Sequence, residues 1–473
     1  MTTSPTPADE APAVPAGRLD RLRLLRIWHA ADVRNFRLLW ASEGISVLGD
    51  QFHAVALSWL VITLTGSGLA LGTVLIAISV PRALLLMPMG VVADRRSPRT
   101  LMLASHLARA GIVGAITVLV VSGNASIPAL AALGVVFGAA DAVYMPSQQA
   151  FVPRAVGPDR LPSANALLQG TYQLVSIVAP PIAGLVVAAL GTGIAFGVDA
   201  ASFVLAAGFI ALISGTAARA VTATTAEATA IDAPGPADVV ATPAATPAAA
   251  KPHAESEAPH EPFMAALVGG LRYVVADRGI AVMLGVSLVL NFALNGPAAV
   301  GMPWLAELRF HAGAAGLGLL VSGWAIGGLA GTVIAGNVKL ERQGRLILLA
   351  IAVSGLAMGL VGLAGSLLVA VGLFAVGGFC IGYVNIVAIS WLQARVEVGM
   401  LGRVMSVAML VGFGISPLSM AIAGVMIDVN ATALFVGAGV LVILATVGAV
   451  ALGTVELFDG PPPDRRPATG RKP

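Results

Sequence analysis

Gly90-Val91-Val92-Ala93-Asp94-Arg95-Arg96-Ser97-Pro98-Arg99 lies between two long apolar runs, and its reading decides the rest of the chain. It brings one carboxylate and three guanidiniums to a place where one hydrophobic run has ended and the next has not begun. Each such charge costs about 3 kcal/mol or more at the centre of a bilayer. The stretch is therefore a polar turn outside the hydrocarbon. The runs beside it, Leu69–Ala93 and Thr100–Ser122, are each long enough to cross a membrane, which takes about 20 residues.

The composition extends that reading to the whole chain. Of 473 residues 57% are hydrophobic and 11% charged, against about 25% charged in soluble proteins. Ten further apolar runs accompany the first two. In the first half they are Leu38–Leu64, Ile127–Phe151, Ser163–Leu190 and Ile194–Ile213. In the second they are Ile280–Leu305, Ala315–Val338, Leu346–Ala364, Leu367–Leu392, Val404–Ile427 and Ala431–Leu452. The expected fold is an all-α membrane protein with twelve transmembrane helices. The 55 glycines suit helices packed closely through small residues. Cys380 is the single cysteine, so no intrachain disulfide can form.

Charge placement predicts the topology. With both ends in the cytoplasm, 24 of the 27 Lys and Arg fall in cytoplasmic segments; Arg82 and Arg109 lie within spans and Arg309 lies outside. This positive-inside bias calls for an even number of spans. Residues 1–37 read as a cytoplasmic tail, Pro/Ala-rich and then basic, without the apolar core of a signal peptide. Residues 38–214 form the first six-span unit. Residues 215–262, rich in Ala, Thr and Pro, read as a disordered cytoplasmic linker. Residues 263–278 read as an amphipathic helix on the inner membrane face or as an extension of the next span. Residues 279–455 form the second six-span unit and 456–473 a cytoplasmic tail.

The halves echo one another. Gly336, Arg342 and Arg345 follow the eighth span with the spacing of Gly90, Arg96 and Arg99, and Leu340 stands where Asp94 stood. Ala179-Pro180 in the fifth span has its counterpart in Ser416-Pro417 in the eleventh. Repeated bundles of six spans are the pattern of secondary transporters.

On these residues the chain resembles the major facilitator superfamily. Its opening stretch is similar to that superfamily's signature loop between the second and third spans, with Gly90, Asp94, Arg95 and Arg99 at the matching positions and Pro98 departing from the pattern. The resemblance implies that the loop holds two pseudo-symmetric six-helix bundles together on the cytoplasmic side when the protein faces outward. Leu48-Gly49-Asp50-Gln51-Phe52, Trp59-Leu60-Val61 and Thr65-Gly66-Ser67 resemble the drug:proton antiporter branch with macrolide-efflux-like and siderophore-exporter-like proteins. Arg109-Ala110, Val152-Pro153 and Ala164-Asn165 also fit. Of the fifth-span motif common in exporters, Pro180 and Gly184 are present and three glycines are replaced.

Ionisable residues inside spans mark functional candidates, because the membrane makes them costly. Glu43, Ser46, Asp50 and His53 are spaced by three, four and three along one side of a helix. Asp50, with Glu43, is the candidate proton-coupling site; the alternative is a polar stripe paired with Arg82 or Arg109 for packing. Asp141, which shares a helix side with Tyr144 and Gln148, is a second protonatable candidate or a helix–helix hydrogen bond. Arg109 would neutralise a nearby acid, and Asp199 stands without an obvious partner. Gln169 and Gln173, and Asn291 and Asn295, form one-turn pairs that either line a central cavity or bond between helices.

The expected function is proton-coupled efflux of small amphipathic molecules, drug-, macrolide- or siderophore-like, by alternating access. The alternatives are proton-coupled uptake, an uncoupled facilitator of a small metabolite and a non-transporting membrane sensor. No phosphate loop of the form G-x-x-x-x-G-K-[S/T] and no H-E-x-x-H zinc motif occurs, so no enzyme activity, cofactor or metal is expected. The expected partners are a small-molecule substrate, protons and the lipid bilayer of a bacterial inner membrane. No nucleic acid is expected, and the chain is expected to act as a monomer.

Overall fold

Hydrocarbon offers the backbone no hydrogen-bond partners, so each apolar run closes its own bonds as a helix. The computed structural model describes residues 28–214, 263–337, 343–397, 400–453 and 455. The first half contains α1 (Arg34–Thr65), α2 (Gly68–Arg95), α3 (Pro98–Val121), α4 (Ile127–Asp141), α5 (Tyr144–Val156), α6 (Leu161–Leu190) and α7 (Thr192–Ala211). The second half contains α8 (Phe263–Ala276), α9 (Arg278–Trp304), α10 (Gly313–Asn337), α11 (Gln343–Val361), α12 (Leu367–Arg395), α13 (Leu401–Gly414) and α14 (Ser416–Ala451). The tails before residue 28 and after 455, the linker over 215–262 and most of the second loop copy, residues 338–342, lie outside the described residues.

The expected spans are present, two of them interrupted. The fourth is divided into α4 and α5 at Ala142-Val143. Pro146 has no N–H to give the Ala142 carbonyl, so the first helix ends there. The eleventh is divided at Ile415, ahead of Pro417, for the same reason. Among the described residues, eleven helical stretches are long and apolar enough to cross a membrane, the last covering Leu401–Ala451. That stretch is two spans, because Asn430 is extended (φ −162°, ψ 100°) and its side chain accepts the Ala433 N–H at 2.9 Å. The total is twelve.

Small residues set how the spans pack. A Cβ on Gly138 would stand 2.0 Å from the Ile78 carbonyl oxygen, which brings the fourth span onto the second. The tenth span meets the eighth in the same way: a Cβ on Gly327 would stand 1.9 Å from the Ala375 oxygen, and one on Gly378 2.1 Å from the Trp324 oxygen. The first span packs on the fifth and sixth, and the seventh packs on the eleventh and twelfth. The third span packs on the sixth and the ninth on the twelfth. The two halves thus have the same internal pairing.

They also meet symmetrically. α2 packs on α14 where Gly68 and Gly72 face Ile427 and Met420, and α6 packs on α10 where Gly184 and Pro180 face Ala314 and Gly318. Arg34, Arg37, Arg95, Arg96, Arg99, Arg154, Arg160, Arg345, Arg395 and Arg403 emerge at one face, here called the basic face. Both contacts between halves lie toward the opposite, far face. There the Asp428 carboxylate accepts from Ser67 Oγ (2.6 Å), Gly68 N (2.6 Å) and Leu69 N (3.0 Å). An acid on the second half thereby caps a helix of the first, where the helix dipole favours negative charge.

At the basic face Asp277 caps α9, accepting from Gly279 N and Ile280 N, and meets Arg395 Nε at 2.9 Å. Burial pushes its carboxyl up, but the Arg395 hydrogen bond and charge and the two backbone N–H groups outweigh that and hold it below the usual carboxylate range. This tie stabilises the fold above the ordinary carboxylate range and is lost as pH falls through the lowered value.

Two substitutions test this packing. Gly327→Leu should lower the melting temperature in detergent by several degrees, whereas Gly285→Leu, whose Cβ meets open space, should leave it nearly unchanged. Asp428→Ala removes a cap of about 1 kcal/mol. It should raise the reactivity of cysteines placed along the far-face contact, read by maleimide labelling in a Cys380→Ser background.

Candidate functional site

The ionisable stripe on α1 faces α3, α4, α5 and α7 rather than lipid. Arg109, on α3, is its centre. Its side chain is 2% exposed. NH1 donates to Asp141 Oδ1 at 3.1 Å and lies 3.8 Å from Asp50 Oδ1. NH2 meets His106 Nδ1 at 3.1 Å, and the guanidinium lies over the rings of Tyr144 and Phe203, 5.1 and 4.4 Å from their centroids. A nitrogen that accepts from a guanidinium carries no proton, so His106 is neutral in this arrangement. Its Nε2 faces Ser42 Oγ at 3.4 Å.

The other acids have separate partners. Asp141 also takes Arg82 Nε at 3.0 Å, which supplies the partner that Arg82 lacked in the sequence. Glu43 Oε2 accepts from the Tyr144 hydroxyl at 2.5 Å. Asp199 is not isolated: its Oδ2 meets His53 Nδ1 at 2.9 Å, with both residues buried. The sequence showed His53 on the stripe and Asp199 on the sixth span but not that these spans touch. Gly49 is the signal that was present, since a Cβ there would stand 2.6 Å from Asp199 Oδ1.

The two carboxylates on Arg109 differ in exposure. Asp141 is 15% exposed and held at both oxygens, whereas Asp50 is 42% exposed and loosely held. Arg109 therefore keeps a buried partner whatever happens at Asp50. Losing the charge on Asp50 costs the site little, and this is the chemical capacity of the arrangement: one carboxylate can change protonation while the guanidinium stays neutralised.

Of two cavities, the first reaches the His53 end of the stripe and the second is lined by the second half alone. One, about 430 Å³, is lined by Gln51, His53, Phe137, Asn295, Met302 and Trp324. The other, about 520 Å³, runs along the second half from Asn295 and Asn291 past Trp324 and Asn385 to Met405 near the basic face. Asn295 and Trp324 belong to both. Asn295 donates to Asn291 Oδ1 at 3.2 Å, and Asn291 to the Ser287 carbonyl at 2.8 Å. Gln169 and Gln173 do not line either cavity. They stand on the side of α6 that carries Pro180 and Gly184, about two turns nearer the basic face than the contact with α10.

The signature stretch sits at the basic face. Gly90 is in open space and Arg95 is exposed. Arg99 turns to its own half, donating to the carbonyls of Ile210 (3.2 Å) and Ala211 (2.7 Å) at the C-terminal end of α7. The Asp94 backbone ends α2; its side chain lies outside the described residues.

The sequence model of a family described as "Transmembrane secretion effector" matches residues 28–234. An "Uncharacterized MFS-type transporter y4rN" of Sinorhizobium fredii is 26% identical, over 91% of this chain and 96% of its own. An "Enterobactin exporter EntS" of Citrobacter koseri is 25% identical, over 90% of this chain and 94% of its own. Among solved structures, a bacterial homologue of the iron transporter ferroportin in an inward-facing state has a TM-score of 0.65 at 15% identity, over 90% of this chain and 99% of its own. The nucleoside transporter NupG has a TM-score of 0.62 at 12% identity, over 90% and 98%. These two likenesses concern the fold.

Arg109→Leu takes the guanidinium from Asp50 and leaves Asp141 with Arg82 alone, and breaking a buried pair by removing one partner costs about 3–5 kcal/mol. The variant should unfold at markedly lower denaturant in mixed micelles, and Asp50→Asn should unfold close to wild type.

Proposed function

The chain belongs to the major facilitator superfamily of transporters, and from that premise we propose that it exports small amphipathic molecules in exchange for protons. The observation that carries the reading is the shared guanidinium: Arg109 holds a tight, buried Asp141 and a loose, half-exposed Asp50. In this reading Asp50 takes up a proton from one side of the membrane and releases it to the other as access alternates. Glu43, held by Tyr144, stands two turns away on the same stripe and serves as the second acceptor. Asp141 and Arg109 form the fixed ion pair against which Asp50 titrates.

Substrate binds between the halves in this reading. The lining is largely apolar, with Met and Trp side chains and the amides of Asn291, Asn295 and Asn385. Such a surface suits a ligand with a broad apolar or aromatic face and a few hydrogen-bonding groups. Gln169 and Gln173, which line neither cavity, stand outside this binding surface. Export is supported by the description of the matched family as a secretion effector and by the relative named an enterobactin exporter.

The positive-inside rule identifies the basic face with the cytoplasm and puts both termini there. The far-face contacts, Asp428 at the start of α2 included, then close the periplasmic side, and the groove toward Met405 is the cytoplasmic entry. When the chain opens outward, the signature loop with Gly90, Asp94, Arg95 and Arg99 closes the cytoplasmic side. The helix α8 lies on that same side.

Everted membrane vesicles energised with a proton gradient test the proposal. Macrolides, cationic dyes or siderophores should accumulate, a protonophore should collapse the accumulation, and Asp50→Asn should abolish it while substrate binding survives. Accumulation insensitive to the protonophore, or unchanged in Asp50→Asn, would sink the coupled reading.

A further inference from the structure

A second buried pair, His53 and Asp199, has no task in that reading. The pair bridges α1 and α7 on the cavity side of the first half. Asp199 is fully buried and His53 is 6% exposed. The imidazole is clamped, stacked on Phe137 with ring centroids 4.8 Å apart and edge-on to Phe196 at 5.5 Å. With Nδ1 committed to Asp199, the Nε2 of His53 has no hydrogen-bond partner among the described residues, and His53 lines the central cavity. Asp199 Oδ1 is buried without a partner and lies against α1 at Gly49, beside Asp50. A buried carboxylate oxygen left unpaired is costly, and it marks a group whose charge is poorly compensated.

Charge balance adds an independent argument. Away from the helix ends, the described residues of the first six spans hold two guanidiniums, Arg82 and Arg109, against four carboxylates, Glu43, Asp50, Asp141 and Asp199. With every acid ionised the interior carries two unbalanced negative charges, which a low-dielectric environment resists. His106 cannot offset them, because its Nδ1 accepts from Arg109. Two protons balance the interior, and the His53–Asp199 pair is a place to hold one of them apart from the carboxylates around Arg109.

We propose that His53 and Asp199 form a second proton-binding site, distinct from the Arg109-centred carboxylates and reached from the central cavity. The proton adds to His53 Nε2. A neutral imidazole that donates Nδ1–H to the carboxylate becomes an imidazolium, and the pair goes from a net charge of minus one to zero. No bond between heavy atoms changes. The ionisable groups that act on the pair are Asp50 on α1 and Arg109 on α3; α7 adds the Ser202 hydroxyl, and the second half adds the Asn295 amide in the cavity that His53 lines. Proton uptake at the pair removes a negative charge beside Asp50, so the two sites influence each other through space. The site's role in transport rests on the proton-coupled reading above; its existence does not.

Nuclear magnetic resonance of isotope-labelled histidine in the full chain, in detergent micelles and titrated over pH, tests this without any substrate. His53→Gln identifies the signal by its loss. In wild type the signal should pass from a neutral to a charged ring. In Asp199→Asn its midpoint should fall by about one unit or more, a tenfold loss of proton affinity. Asp50→Asn should move it less. A ring that stays neutral throughout the wild-type titration overturns the site, even where Asp199→Asn fails to fold, and so does a midpoint unmoved in that variant. Absent proton-driven flux in wild-type vesicles overturns the coupling reading instead, and the titration then still decides the site.

Discussion

A guanidinium in the middle of a membrane protein has to be neutralised where it stands, and Arg109 sets that condition for the first half. Its neighbours are chosen by it: two carboxylates, one neutral imidazole and two aromatic faces come to it from five helices, its own included. Long Arg side chains near a helix end can reach the interface and escape the cost. Arg109, near the middle of α3 and 2% exposed, cannot. The packing of α1, α3, α4, α5 and α7 therefore has to deliver acids to one point, and in the proposed reading the excess of acids there is what proton exchange uses.

The second half has the same helix pairing and a different interior. Among its described residues, the ionisable side chains stand toward the ends of the spans, as Arg278, Arg395, Arg403 and Asp428 do. Its inner surface offers amides, methionines and Trp324. One repeat thus carries charge and the other carries adaptable contact surface. Close approach of backbones holds both together, since dispersion at short range substitutes for the hydrophobic effect that lipid cannot supply.

Most of the fold was legible in the sequence, and the site was legible in part. Span positions follow from apolar length, which the bilayer fixes, and the observed helices start and end within a few residues of the expected ones. The breaks at Ala142-Val143 and Ile415 were not marked out in advance, although Pro146 and Pro417 carried the information. The α1 stripe was readable because helical spacing is local. Partners were not, because they depend on which spans touch. Asp199 with His53, and Arg82 with Asp141, join residues more than fifty positions apart. Nothing in the intervening sequence encodes such a meeting except a small residue, such as Gly49, left where two helices must come close.

Several contacts between the halves are made with main-chain atoms. Gly72 faces the Met420 carbonyl, Gly184 faces that of Ala314 and Gly318 faces that of Pro180. Every amino acid supplies the same carbonyl. A surface written in that material tolerates drift in the side chains around it, provided the few positions that must stay small do so. A chain can therefore change most of the side chains around these few positions and keep the joint between its halves.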